Sequence, residues 1–251
     1  MSEAKIEYLL RLGDSALILG QRVSEWIGHA PIMEEDVALA NVALDLIGQA
    51  RLWFGYAGEL EGRGRDEDAL AFLREAHEYR NVLLVEQPNG NFADTLVRQF
   101  LFDAWHHALL EGLSQSHDPR IAEIAVKALK EVTYHLERSS DWVVRLGDGT
   151  EESHRKAQAA LDELWTYTGE LFAADAIDAE LVAQGVAVDP ASLREAWLHT
   201  VQAVCEAATL TAPPADAWMQ SGGKQGRHTE HLGYILAEMQ SLPRAHPGAR
   251  W

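Results

Sequence analysis

Carboxylates and imidazoles recur at helical spacing in the long proline-free stretches of this 251-residue chain. The chemistry such spacing can support is metal-centred. A di-iron site inside a four-helix bundle takes one Glu from each of two helices and Glu-x-x-His from each of the other two. The i, i+3 step stacks carboxylate and imidazole on one face, a turn apart. The candidates are Asp14, Gln21 and Glu25, then Asn41, Asp45 and Gln49, then Asp103, His106 and His107, and finally Lys127, Lys130, Glu131, Tyr134 and His135. Where Glu-x-x-His is needed, however, the chain reads Asp45-Leu-Ile-Gly48 and Glu131-Val-Thr-Tyr134. Glycine cannot ligate and tyrosine is a poor replacement for imidazole. His106 and His135 lie close by, but each residue turns the helix by about 100° and carries them off the required direction. Asp45, Gly48, Asp103, Glu131 and Tyr134 therefore read as vestigial metal-site positions, with no metal and no catalytic residue in the chain.

Three carboxylates, Asp45, Asp103 and Glu131, on facing helices cannot all ionise without compensation. The cations on these faces are Lys127, Lys130, Arg51 and Arg98. At least one is expected to point inward and pair with the cluster, with Lys127 or Lys130 against Glu131 as first choice. In the competing reading both lysines face water. Asp103-x-x-His106 reads as a hydrogen-bonded pair on one helix, and His228-Thr-Glu-His231 as the start of the last helix. The preceding SGGKQGR (221–227) reads as a flexible surface loop. Alternatively, Lys224 and Arg227 contact an anionic partner surface or a ligand phosphate. It lacks the Gly-Lys-Ser/Thr ending of a P-loop, and no Ser-His-Asp elbow, dinucleotide fingerprint or zinc motif is present.

The elements that must position these residues are helices. Stretches rich in Ala, Leu, Glu, Gln and Arg run between the eight prolines, and strand alternation is nearly absent. The composition predicts long helices over about 5–28, 33–61, 92–116 and 120–146, and shorter ones over 66–84, 151–173, 190–210 and 229–241. Asn91 with Asp94, Asp118-Pro119, Asp189-Pro190 and Thr229-Glu230 are the expected starts. Two long pairs joined by a shorter helical region predict an all-α fold in a single domain, 1–251. Its core is an antiparallel four-helix bundle with a crossover, wrapped by a C-terminal helical region, 151–242. Pro243 to Trp251 reads as a loosely packed tail. Most of the eight tryptophans are expected in the core, with two or three anchoring a subunit interface.

Composition excludes several functions. Lys plus Arg is 21 and Asp plus Glu 39, a net charge of −18, which argues against nucleic-acid or anionic-membrane surfaces. One cysteine, Cys205, excludes a disulfide framework or thiolate metal site. No leader is evident, and no uninterrupted apolar run approaches the ~20 residues of a membrane span. A cytoplasmic location is the expectation.

The runs YLLRLGDSALILGQRVSEWIGHAP, DVALANVALDLIGQAR, LLVEQPNGNFADTLVRQFLFDAWH, KALKEVTYHLERSSDWVVRLGDGT, LWTYTGELF and GGKQGRHTEHLGYILAEMQ span nearly the whole chain. Together they resemble the C subunits of bacterial phenylacetyl-coenzyme A 1,2-epoxidase, which serves aerobic phenylacetate degradation. The resemblance implies a ferritin-like fold. It also implies a metal-free, non-catalytic homologue that pairs with and stabilises a di-iron A subunit. That subunit inserts one oxygen atom of O2 into the ring of phenylacetyl-coenzyme A, with electrons from NADPH through a reductase carrying flavin and iron–sulfur centres. The implied partners are the A subunit, the other epoxidase subunits and a second copy of the chain, with phenylacetyl-CoA at a subunit interface. Substrate contacts are implied at Glu78, Tyr79, Arg80 and Asn81 and at Ala179, Glu180 and Leu181, although residues 78–81 read equally well as a solvated helix face. Two other functions compete. One is an active di-iron oxygenase with unorthodox ligands such as Asp45, Asp103, Glu131 and His135. The other is a free-standing acyl-coenzyme A binding protein.

Overall fold

A computed structural model describes residues 3–214 and 216–249. All regular structure among these residues is helical, as the composition predicts. Its packing falls into two compact units: residues 1–88 with 222–251, and residues 89–221.

The first unit holds α1 (Glu3–Ser24), α2 (Met33–Glu61), α3 (Glu67–Phe72), α4 (Leu83–Glu86) and, from the end of the chain, the 16-residue helix Glu230–Ala245. Helices α1 and α2 form a long antiparallel pair. Gly13 faces the Phe54 ring, while Gly20 faces Ala43, Leu46 and Ile47. A methyl group on Gly13 would overlap the Phe54 ring, so glycine sets how closely the two helices approach. α2 matches its predicted bounds and ends on Gly62, which adopts the left-handed conformation at φ 67°. By length and composition α2 is apolar enough to cross a membrane, although its most apolar window is only 44% buried. A core helix packed along its length passes the same test, and the absence of an unbroken apolar run near ~20 residues stands.

The second unit holds α5 (Phe92–Leu113), α6 (Pro119–Gly147), α7 (Glu151–Leu164), α8 (Ala176–Ala183) and α9 (Arg194–Ala207). The 16-residue final helix is α10. The expected starts are in place. Asn91 accepts from Ala93 N while Asp94 accepts from Asn91 N, and Asp118 accepts from Arg120 N and Ile121 N ahead of Pro119. α5 and α6 are antiparallel, with Phe92 edge-on to Trp142 and Asp103 bonded to Ser139.

Trp53, Trp105, Trp165 and Trp197 are core residues, whereas Trp218 is exposed. Trp251 lies outside the described residues. The tail expectation is corrected in part, because α10 continues through Pro243 to Ala245. Arg244 ties that last turn down by donating to Phe72 O, Arg74 O and Glu75.

Candidate functional site

In the second unit, the apolar faces of α5 and α6 bring Asp103 and His135 into the interior and turn Tyr134 out. Asp103 is fully buried and accepts from Gln99 Nε2 at 2.7 Å and Ser139 Oγ at 2.9 Å. Burial pushes its carboxyl up to about 6, against the pull of His135, the two hydrogen bonds and Arg138. His106, buried beside Phe102 and Trp105, is pushed down to about 3 by burial and by His135 and His107. It is therefore a neutral ring, and its Nδ1 has no hydrogen-bond partner. The expected Asp103–His106 hydrogen bond is replaced by the bonds to Gln99 and Ser139, one on each helix.

Tyr134 is 51% exposed and Glu131 half-buried. Lys127 and Lys130 face solvent, so the expected inward lysine is corrected: both fall on the polar face of a strongly amphipathic helix. Arg51 is exposed and pairs with Glu67 at 3.0 Å. Arg98 is the inward cation of the four, and its Nη2 donates to Asn89 Oδ1 at 2.7 Å. The electrostatic pull on Asp103 comes instead from His135 and, behind it, from Arg138, which sequence reasoning missed. In the first unit, Asp45 and Gly48 lie half-exposed on α2. Among the described residues, no group of three or more His, Cys, Asp or Glu is disposed to hold a metal ion.

The densest polar arrangement lies elsewhere, in the first unit, and it includes residues 78–81. These residues are not a solvated helix face, which corrects that reading. The predicted helix 66–84 breaks into α3, a 3-10 turn at Ala76–Glu78, extended backbone around Tyr79–Val82, and α4. Arg74 causes the break. Its guanidinium donates to Leu70 O at 2.6 Å and Glu78 O at 3.1 Å and forms a two-pronged ion pair with the fully buried Asp14 of α1. It also lies over the rings of Phe54 and Tyr79, 5.3 and 4.3 Å from their centroids. Asp14 Oδ2 accepts Arg80 N at 2.8 Å as well, so the carboxylate serves both neighbours of the break.

Tyr79 is fully buried, donates to Ala71 O and accepts from Gln240 of α10, and burial raises its phenol. The Arg80 side chain pairs with Glu7 at 2.6 Å. Asn81, also fully buried, donates to Glu86 at 2.9 Å. Glu86, buried at the end of α4, accepts further from His228 Nδ1 at 2.9 Å and from Thr229 N at 2.6 Å. His228 Nε2 lies 3.0 Å from Tyr79 O. Burial alone would lower His228, but the Glu86 carboxylate and the Tyr79 carbonyl outweigh it and raise the ring. His228 thus both starts α10, as expected, and bridges two buried acceptors.

The 221–227 segment is no flexible loop. Gly222, Gly223 and Lys224 are buried and a 3-10 turn spans Gly223–Gln225, while Arg227 is exposed. Gly226, at φ 73°, leaves no room for a side chain against His77 O. Its backbone closes on the 76–80 stretch.

Of the second implied set, Ala179 and Glu180 are exposed on α8 and Leu181 is in the core. The two sets belong to different units. Clefts lined by Asn91 and Lys156, by Glu75 and Arg244, and by Trp165 and Arg194 have volumes of about 220, 270 and 180 Å3. Each is smaller than an ordinary cofactor pocket of about 300–1,000 Å3. Sequence reasoning passed over Arg74, Glu86 and Gln240. Glu86 sits inside the quoted LLVEQPNGNF run, and an acidic residue in so apolar a helix was the available signal.

The C subunit of 1,2-phenylacetyl-CoA epoxidase from Escherichia coli (strain K12) is 55% identical over 244 residues, covering 97% of this chain and 98% of that one. The family model described as "Phenylacetic acid catabolic protein" matches residues 1–251. With helix over 74% of the described residues and no strand among them, the chain belongs to this ferritin-like, all-α family of phenylacetic acid catabolic proteins.

Proposed function

We propose that this chain is the non-catalytic C subunit of a phenylacetyl-CoA epoxidase, pairing with a di-iron catalytic subunit and with a second copy of itself. The observation that carries the reading is the treatment of the ligand positions. Gly48 has no side chain, Tyr134 turns to solvent, and Asp103 is engaged by Gln99 and Ser139. In the assembly, the partner's di-iron site supplies oxygen insertion into the aromatic ring, and a reductase with flavin and iron–sulfur centres supplies electrons from NADPH. What this chain's residues supply is a rigid scaffold. Tyr79 and Asn81 act inside the fold: Tyr79 bonds Gln240 of α10, and Asn81 holds Glu86 at the end of the 76–86 stretch. Ala179 and Glu180 are exposed on α8, where a substrate or partner can reach them.

A free-standing acyl-CoA binder would need cations for the 3′-phosphate and pyrophosphate of coenzyme A, and these three clefts, small and each with few cations, do not supply them. The test is metal analysis of the chain purified from iron-replete cells, alone and with its co-purifying oxygenase subunit. The reading expects no bound iron in the isolated chain and iron in the complex. Two tightly held iron atoms per isolated chain would overturn it in favour of unorthodox ligation by Asp45, Asp103, Glu131 and His135.

A further inference from the structure

Helix α2 has an outer face that the described residues do not cover. Met33, Val37, Asn41, Leu44, Gly48, Arg51 and Gly55 follow one another at steps of three or four, so they share one side of the helix. Met33 is 79% exposed, Leu44 66% and Val37 55%, with Ile27 and Ile32 also exposed just ahead of the helix. Large apolar side chains in a row on one face mark a contact surface rather than ordinary surface scatter.

The glycines carry independent information. Gly48 and Gly55 lie in the interior of a 29-residue helix, yet a Cβ added to either would meet nothing within 4 Å. Glycine is a poor helix former, and internal packing gives no reason for it here. A close approach from outside the chain does.

We infer that this face of α2 is the surface through which two copies of the chain pair, with their α2 helices antiparallel about a two-fold axis near residues 42 and 43. This rests on the self-association included in the proposed function. The face is complementary to itself in that register. Val37 of one copy falls opposite Gly48 of the other, Met33 opposite Leu52, and Asn41 opposite Leu44. The acidic first turn, Glu34, Glu35 and Asp36, lies alongside the other copy's Arg51, the one cation on the helix. A parallel arrangement would instead set Val37 on Val37, with Gly48 over Gly48 and a gap between. An isologous contact of this kind closes as a dimer. Apolar contact with local charge matching also gives a chain of net charge −18 a way to associate with itself.

The test uses the full chain in sedimentation equilibrium, with circular dichroism to confirm folding. Wild type is expected to be dimeric, and Leu44→Glu and Gly48→Leu to raise the dissociation constant at least 100-fold with helicity unchanged. Both positions are open, so neither variant disturbs the chain's own packing. A short thiol cross-linker reads the register. The double variant Val37→Cys, Gly48→Cys should give covalent dimers. Val37→Cys alone should not, because the two copies of residue 37 are about 16 Å apart at 1.5 Å per residue. The native Cys205 is buried and stays out of the reaction.

A chain that remains monomeric overturns both the self-association and this surface. A dimer indifferent to both variants overturns the surface alone. Binding of wild type, but not Leu44→Glu, to the di-iron subunit or to lipid vesicles, without any dimer, assigns the face to that partner and likewise overturns the inference.

Discussion

His228 and Glu86, 142 residues apart in sequence, form a buried pair with Nδ1 2.9 Å from a carboxylate oxygen, while His228 Nε2 faces Tyr79 O at 3.0 Å. A neutral ring with one N–H cannot donate to both acceptors, so the arrangement favours imidazolium against carboxylate. The pair fixes the end of α4 to the start of α10, and Asn81 holds the carboxylate from the other side.

The folded state raises His228 above its ordinary value, so its contribution to stability has a defined direction in pH. It is fully present below the unfolded value of about 6.5 and is lost as pH rises through the higher folded value. Thermal melts of wild type and His228→Gln from pH 6 to 9 should show the largest gap at the acid end, narrowing as pH rises. A gap that is constant or widens toward pH 9 would count against a charged pair.

The compensated buried charge expected around Glu131 is found instead at Asp14 and Arg74. Arg74→Met alone should cost about 3–5 kcal/mol, because it strands a buried carboxylate. Adding Asp14→Leu should recover a large part of that loss. Denaturant unfolding of both single variants and the double measures the coupling. Simple additivity would show that the pair is not a unit.

Asp103 carries the opposite sign. Its carboxyl rises from 3.8 to about 6 in the fold, so the ionised form is penalised there by about 3 kcal/mol. The penalty is absent below pH 4, grows between pH 4 and 6, and is complete above that. Asp103→Asn should therefore melt higher than wild type at pH 7.5 and close to it at pH 4. Ser139 can reverse its hydroxyl to suit the amide.

Two glycine substitutions should move stability in opposite directions. Gly226→Ala forces a side chain against His77 O at a positive φ and should cost more than about 1 kcal/mol. Gly48→Ala meets open space in a helix interior and should raise the stability of the isolated chain by up to about 1 kcal/mol. Unfolding midpoints of the two variants, at a concentration where association is negligible, decide the matter.

What the sequence made legible was local. α2 carries its own stop at Gly62, and Asn91, Asp94, Asp118 and Pro119 mark helix starts within a few residues of themselves. The stretch 66–84 looked like one helix because its residue types favour helix. It breaks because Asp14, 60 residues away, draws in Arg74 and binds Arg80 N. Asp14 itself was visible, but as a possible metal-site residue, because its partner lies outside the pattern being searched. His228 and Gln240 were unreadable for the same reason. They act on residues 142 to 166 positions earlier, and nothing in local spacing records that.

The first unit is assembled from residues 1–88 and 222–251, with the second unit inserted between them. On the ribosome, residues 1–88 emerge without α10, and Gln240, His228 and the backbone of Thr229 reach them only after the whole second unit has been made. Until then, Glu86 and Tyr79 lack partners that the finished chain supplies. The second unit is contiguous and can form as it emerges. The first unit is therefore completed only after the second has been made, and synthesis halted at residue 221 leaves residues 1–88 without the partners that the 222–251 stretch supplies.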